Sequence, residues 1–89
     1  MSHEEFIETA KTLVAEHTNA RGDFEIVSPE EVFVVWSSKA LQNSKAMMST
    51  PALGSLYYEI TMNGDKSEIY FDVYEKRQNK RIKINRGEN

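Results

Sequence analysis

The sequence predicts an α+β fold, in which an N-terminal helix packs on an antiparallel β-meander of about four to five strands. Three observations predict it. Residues 2 to about 19 repeat apolar side chains at helical spacing. Residues 56–74 alternate apolar and polar side chains around an Asn-Gly pair. Between them, Val32 to Trp36 (VFVVW) is apolar throughout. The chain has 89 residues, which makes residues 1–89 one small domain with a thin core and makes self-association an expected source of extra stability.

The helix is supported by Phe6, Ile7, Ala10, Leu13, Val14 and His17, which follow one helical face. Ser2 with Glu5 three residues later fits a capping box. Asn19 and Gly22 offer a stop. His17 ends the apolar stripe and reads as a boundary residue suited to a helix C-terminus rather than as a ligand, since the other histidine, His3, lies in the first turn. The apolar stripe is expected to cover the apolar face of the sheet.

Residues 20–31 connect. Phe24 and Ile26 alternate with charged neighbours, so a short extended piece is expected there. Ser28-Pro29-Glu30-Glu31 reads as a capped turn, or as the opening of a helix. Val32 to Trp36 then favours a strand buried on both sides, with the helix as one cover and a loop, residues 51–55 or a second subunit as the other. Trp36 is assigned to the core, with an exposed interface anchor as the alternative. Residues 37–50 fit two patterns. Ser37, Ala40, Leu41, Ser44, Met47 and Met48 share a helical face, but the same stretch also makes a hairpin that runs to Leu41, turns at Gln42-Asn43 and returns from Ser44. The preceding strand favours the hairpin, with Met47 and Met48 as core fillers. Pro51 to Ser55 reads as a loop hinged at Gly54.

The central hairpin separates two faces. Leu56, Tyr58, Ile60 and Met62 share one with Ile69, Phe71 and Val73; Tyr57, Glu59 and Thr61 share the other with Glu68, Tyr70, Asp72 and Tyr74. A two-residue Asn63-Gly64 turn would set Glu59 against Glu68, a destabilising like-charge pair. A four-residue loop, Asn63 to Lys66, pairs Ile60 with Ile69, Tyr58 with Phe71 and Leu56 with Val73, and is preferred. Either register keeps each set on its own face. The second face is either a solvated surface with amphipathic tyrosines or a protein interface, tyrosine being enriched where proteins meet. The candidate protein-binding face is therefore Trp36, Tyr57, Glu59, Tyr70, Asp72 and Tyr74. Arg77 to Lys80 reads as a turn, Arg81 to Ile84 as a short edge strand whose basic residues discourage aggregation, and Asn85 to Asn89 as a frayed tail.

Net charge is −3 and uneven: residues 1–36 hold eight acids and two bases, residues 37–89 six acids and nine bases. The C-terminal bases make Lys76, Arg77, Lys80, Arg81 and Lys83 a candidate anion-binding set, with Lys39 and Lys45 as further members, against the plainer reading of edge protection. Overall acidity argues against a dedicated nucleic-acid binder. There is no cysteine, so no disulfide framework, thiol nucleophile or thiolate metal site. No Gly-rich phosphate loop, metal-ligand spacing or nucleophile elbow occurs, and Asp65 with Glu68 is too small a set for calcium. No cofactor or metal is expected and an enzyme is not favoured, although Glu59 and Asp72 remain an open acid–base pair. Nothing resembles a signal peptide or a membrane-spanning run, so a soluble cytoplasmic protein is expected.

Several motifs occur in order: Val35-Trp36, Lys39 to Asn43, Lys45-Ala46, Ser49-Thr50, Tyr57 to Glu59, Asn63 to Lys66 and Tyr70 to Tyr74. Together, over roughly residues 32–79, they resemble a family of small uncharacterised proteins encoded by phages and prophages of Gram-positive bacteria. The family pattern often has cysteine where Ser38 stands, so no cysteine-dependent role carries over. The resemblance implies phage origin, transfers no catalytic residue, and is consistent with proteins that act by binding host or phage proteins. The expected function is a non-enzymatic accessory module whose Tyr/acid face binds a host or phage protein, or self-associates to make a homodimer. The alternatives are a nucleic-acid-associated module using the basic C-terminal segment, or a small-ligand binder.

Overall fold

The computed structural model describes residues 1–22, 26–52, 56–75 and 80–84. Helix α1 spans His3–Ala20, and a 3₁₀ turn follows at Pro29–Glu31. Strands β1 (Phe33–Ala40), β2 (Asn43–Ser49), β3 (Tyr57–Asn63) and β4 (Glu68–Tyr74) form one antiparallel sheet in the order β1-β2-β3-β4. The fold is the expected α+β arrangement of helix on meander.

Local chemistry explains the ends of α1. The Ser2 hydroxyl accepts from the Glu5 backbone N–H at 3.0 Å, and the Glu5 carboxylate accepts from the Ser2 N–H at 2.8 Å, closing the capping box. Those hydrogen bonds favour the ionised carboxylate and hold Glu5 below its ordinary pKa. At the other end Gly22, at φ 73, returns its N–H to the Asn19 carbonyl. The Asn19 side chain also donates to the Val27 carbonyl at 2.9 Å and accepts from the Val27 N–H at 2.7 Å. It thereby seats the incoming segment without a strand. In the 3₁₀ turn the Glu31 carboxylate accepts from the Ser28 N–H at 3.0 Å.

The core lies between α1 and the central strands. Phe6, Ala10 and Val14 of α1 meet Ala46 and Met48 of β2 and Tyr58, Ile60 and Met62 of β3, closed by Val27 and Val32. Ile69 and Phe71 of β4 pack at its margin. The Tyr58 hydroxyl is buried but satisfied, 3.1 Å from Thr18 Oγ1 and 3.3 Å from His17 Nδ1. The His17 ring stands edge-on to Tyr58 at 5.4 Å and tilted to Phe71 at 5.7 Å. His17 is thus the boundary residue that its position suggests. Burying each large apolar side chain here contributes about 1.5–3 kcal/mol.

A helix is about 10 Å across and strands lie about 4.8 Å apart, so one helix covers about two strands. Here it packs on β2 and β3. That geometry overturns the expectation for Val32 to Trp36. Only Val32 is buried; every residue of β1 is exposed, and Trp36 is 41% accessible rather than in the core. β1 is an edge strand with a bulge between Val34 and Trp36.

Three further expectations shift. Residues 37–50 do form the hairpin, but its turn is Leu41-Gln42, with Ala40 opposite Asn43. Leu41 adopts φ 55 there. In the second hairpin Asn63 pairs with Glu68, so the four-residue loop is Gly64–Ser67 and the ladder lies two residues from the preferred register. Tyr58 faces Val73, Ile60 faces Phe71 and Met62 faces Ile69. The loop is set by the Asn63 side chain, which accepts from the Asp65 and Lys66 N–H groups at 3.1 and 3.2 Å. Finally, the sheet has four strands among the described residues. Residues 81–84 carry no strand, and Ile82 and Ile84 are exposed. The expected hinge at Gly54, the strand position of Phe24 and the tail from Asn85 lie outside the described residues.

Candidate functional site

Strand parity places one set of side chains on the sheet face turned away from α1. Trp36 is opposite Met47, Met47 opposite Glu59 and Glu59 opposite Asp72, a row crossing all four strands. A second row runs Ser38, Lys45, Thr61, Tyr70. Tyr57 pairs with Tyr74 beyond them. All six residues of the candidate protein-binding face (Trp36, Tyr57, Glu59, Tyr70, Asp72, Tyr74) therefore share one surface, which Phe33 extends. The four aromatic members are all exposed. The bulge in β1 is what turns Trp36 onto this face, because it resets the alternation after Val34.

Polar contacts order the face. The Tyr74 hydroxyl donates to the Glu59 carboxylate at 3.1 Å, and Lys45 Nζ lies 3.6 Å from the same carboxylate. The Tyr70 hydroxyl donates to Glu68 at 2.6 Å. Each tyrosine thus holds its proton beside an anion. Tyr70 is raised above its ordinary pKa first by the hydrogen bond to Glu68 and then by its charge. Tyr74 is raised by the hydrogen bond to Glu59, then by the charges of Glu59 and Asp72. Rings fixed in this way lose less rotamer freedom when something docks on them. Glu59, Glu68 and Asp72 against Lys45 leave the face net acidic.

The candidate anion-binding set is not assembled in the same way. Lys76 and Arg77 lie outside the described residues. Lys80, Arg81 and Lys83 are exposed on a segment without strand pairing. Lys39 and Lys45 sit on opposite faces, Lys39 opposite the helix-side Ser44 and Lys45 opposite Thr61.

One cluster has no signal in the sequence. His3 Nδ1 lies 3.1 Å from Ser44 Oγ and Nε2 lies 3.4 Å from Ser37 Oγ, residues about forty positions away brought together by the sheet. Ser–His contact invites comparison with nucleophilic catalysis, but a catalytic histidine keeps one nitrogen for an orienting acid. Both His3 nitrogens are taken by serines, so the ring pins the start of α1 to β1 and β2. A cavity of about 230 Å³ lies near the hairpin turns, lined by Met1, Gln42, Met62, Gly64, Ser67 and Ile69. It is smaller than most ligand sites and has no titratable side chain in its lining. Among the described residues no group of three or more His, Cys, Asp or Glu is placed to hold a metal. No described helix is long and apolar enough to cross a membrane.

Comparison with known proteins returns no match among curated proteins or solved structures. A family model does match residues 7–84, which include the whole of the sheet and most of α1. The chain belongs to that family, the family of unknown function DUF6275.

Proposed function

We propose that this chain is a non-enzymatic accessory protein of phage or prophage origin that binds another protein through the sheet face opposite α1. The observation that carries the reading is the gathering of Trp36, Tyr57, Tyr70 and Tyr74, all exposed, on one rigid surface. Aromatic residues of this kind anchor protein interfaces. The acidic groups among them, Glu59, Glu68 and Asp72, select a partner surface with an apolar centre and basic rim. Phage origin rests on the resemblance of the Trp36 to Tyr74 motifs, and a cytoplasmic site of action follows from that origin.

The test is affinity capture from lysate of infected host cells, with and without nuclease, using wild type, Tyr70→Ala and Tyr74→Ala. A protein held by wild type in both conditions and lost with folded tyrosine variants supports the reading. Capture unaffected by removing both tyrosines rejects this face. Capture lost only on nuclease treatment moves the site to Lys80, Arg81 and Lys83, where binding would fall steeply with salt.

A further inference from the structure

We propose that β1 is the surface through which two copies of this chain pair, edge to edge and antiparallel, to join their sheets into one of eight strands. β1 is an outer strand, and among the described residues one side of its backbone has no strand beside it. Phe33, Val34, Val35 and Trp36 are exposed in succession, and α1 packs on β2 and β3 instead. A long apolar edge of this kind is a template for strand addition. The other edge is different: β4 carries Glu68 and Asp72, which repel a second β4.

Charge selects a second copy as the occupant. Glu30 and Glu31 lie just before β1, and Lys39, its one charged residue, lies near its end. Antiparallel pairing of β1 with itself brings Lys39 of each copy towards Glu30 and Glu31 of the other, twice, by two-fold symmetry. Parallel pairing would not. The bulge between Val34 and Trp36 increases the local twist, so the added strand must follow that twist. Tyr57, Glu59, Tyr70, Asp72 and Tyr74 lie on β3 and β4, away from this edge, while Trp36 sits at the seam, across which the two outer faces become continuous.

The test is sedimentation across a dilution series, with far-UV circular dichroism to confirm folding. Wild type is expected to be a dimer. Val34→Lys is expected to be a folded monomer. Lys39→Glu and Glu30→Lys should each weaken the dimer about tenfold, and the double variant should recover it. Amides of residues 33–40 should exchange more slowly in the dimer than on dilution. If Val34→Lys does not fold, the charge-swap set decides. A wild-type monomer at every concentration overturns the proposal. So does a dimer that the charge variants leave intact, an open-ended assembly, or a double variant no tighter than the singles. These outcomes are read in mass, whereas the binding face is read in capture by the tyrosine variants, so each idea fails separately.

Discussion

Glu59 stands directly opposite Asp72 across β3 and β4. Facing carboxylates destabilise an antiparallel pair. Glu59 is compensated by Lys45 and Tyr74, whereas the Asp72 carboxylate has no hydrogen bond or ion pair among the described residues. Asp72→Thr should therefore raise stability by about 0.2–1 kcal/mol, read as a higher urea midpoint with unchanged slope. If the acid is kept for partner binding, the same variant should capture the partner less well. A lower midpoint would show that Asp72 has a compensating contact.

The tyrosines of the outer face give a pH signature. Tyr70 and Tyr74 have folded pKa values raised above the unfolded one, each through a hydrogen bond to a carboxylate. Their stabilising contribution is thus complete below the ordinary tyrosine pKa of about 10 and disappears as pH rises through the folded values. In a spectrophotometric titration, Glu59→Gln should bring one phenol's ionisation to lower pH and Glu68→Gln another. Superimposable curves would show that these hydrogen bonds do not persist in solution.

Tyr58→Phe should cost about 1–3 kcal/mol, because it leaves buried Thr18 Oγ1 without its 3.1 Å partner. In a cycle with Thr18→Val, the double variant should lose less than the sum of the singles, with coupling of at least about 0.5 kcal/mol. Additive losses in chemical unfolding would mean that the two hydroxyls do not interact.

Leu41→Gly should stabilise the protein. Leu41 is 92% exposed, so it contributes little packing, yet it holds φ 55 at the first position of a two-residue hairpin turn where glycine is preferred. The expected gain is about 1 kcal/mol, seen as a higher midpoint of thermal unfolding. A loss instead would assign the leucine a contact of its own.

Gly64→Ala should do the reverse. A Cβ at Gly64 would run into the backbone carbonyl of Gln42, where the two hairpin turns pack together. The obstacle is backbone and cannot swing aside, so a loss of about 1–3 kcal/mol is expected. An unchanged midpoint would show that the turns can separate freely.

Much of the candidate face is legible in the sequence because side-chain parity in a strand is local. Tyr57, Glu59, Tyr70, Asp72 and Tyr74 fall on one side in the two-residue-turn, the four-residue-loop and the observed register alike, since these differ by slips of two residues, which preserve faces. The register itself is less legible. Avoiding Glu59 against Glu68 was a sound criterion, but the ladder accepts Glu59 against Asp72 because Lys45 arrives from β2, a neighbour that the hairpin alone does not contain. The bulge that turns Trp36 outward left no periodic trace, and neither did the meeting of His3 with Ser37 and Ser44.

By itself, the sequence determined the caps and stripe of α1, the existence of two hairpins and the division of their side chains between two faces. Each depends on interactions within a few residues or on a repeat along one element. Only the tertiary structure decided that β1 is an edge rather than a core strand. Apolar composition reports that Val34, Val35 and Trp36 favour burial, not whether anything is present to bury them. One helix covers about two strands, here β2 and β3, which leaves VFVVW on the surface.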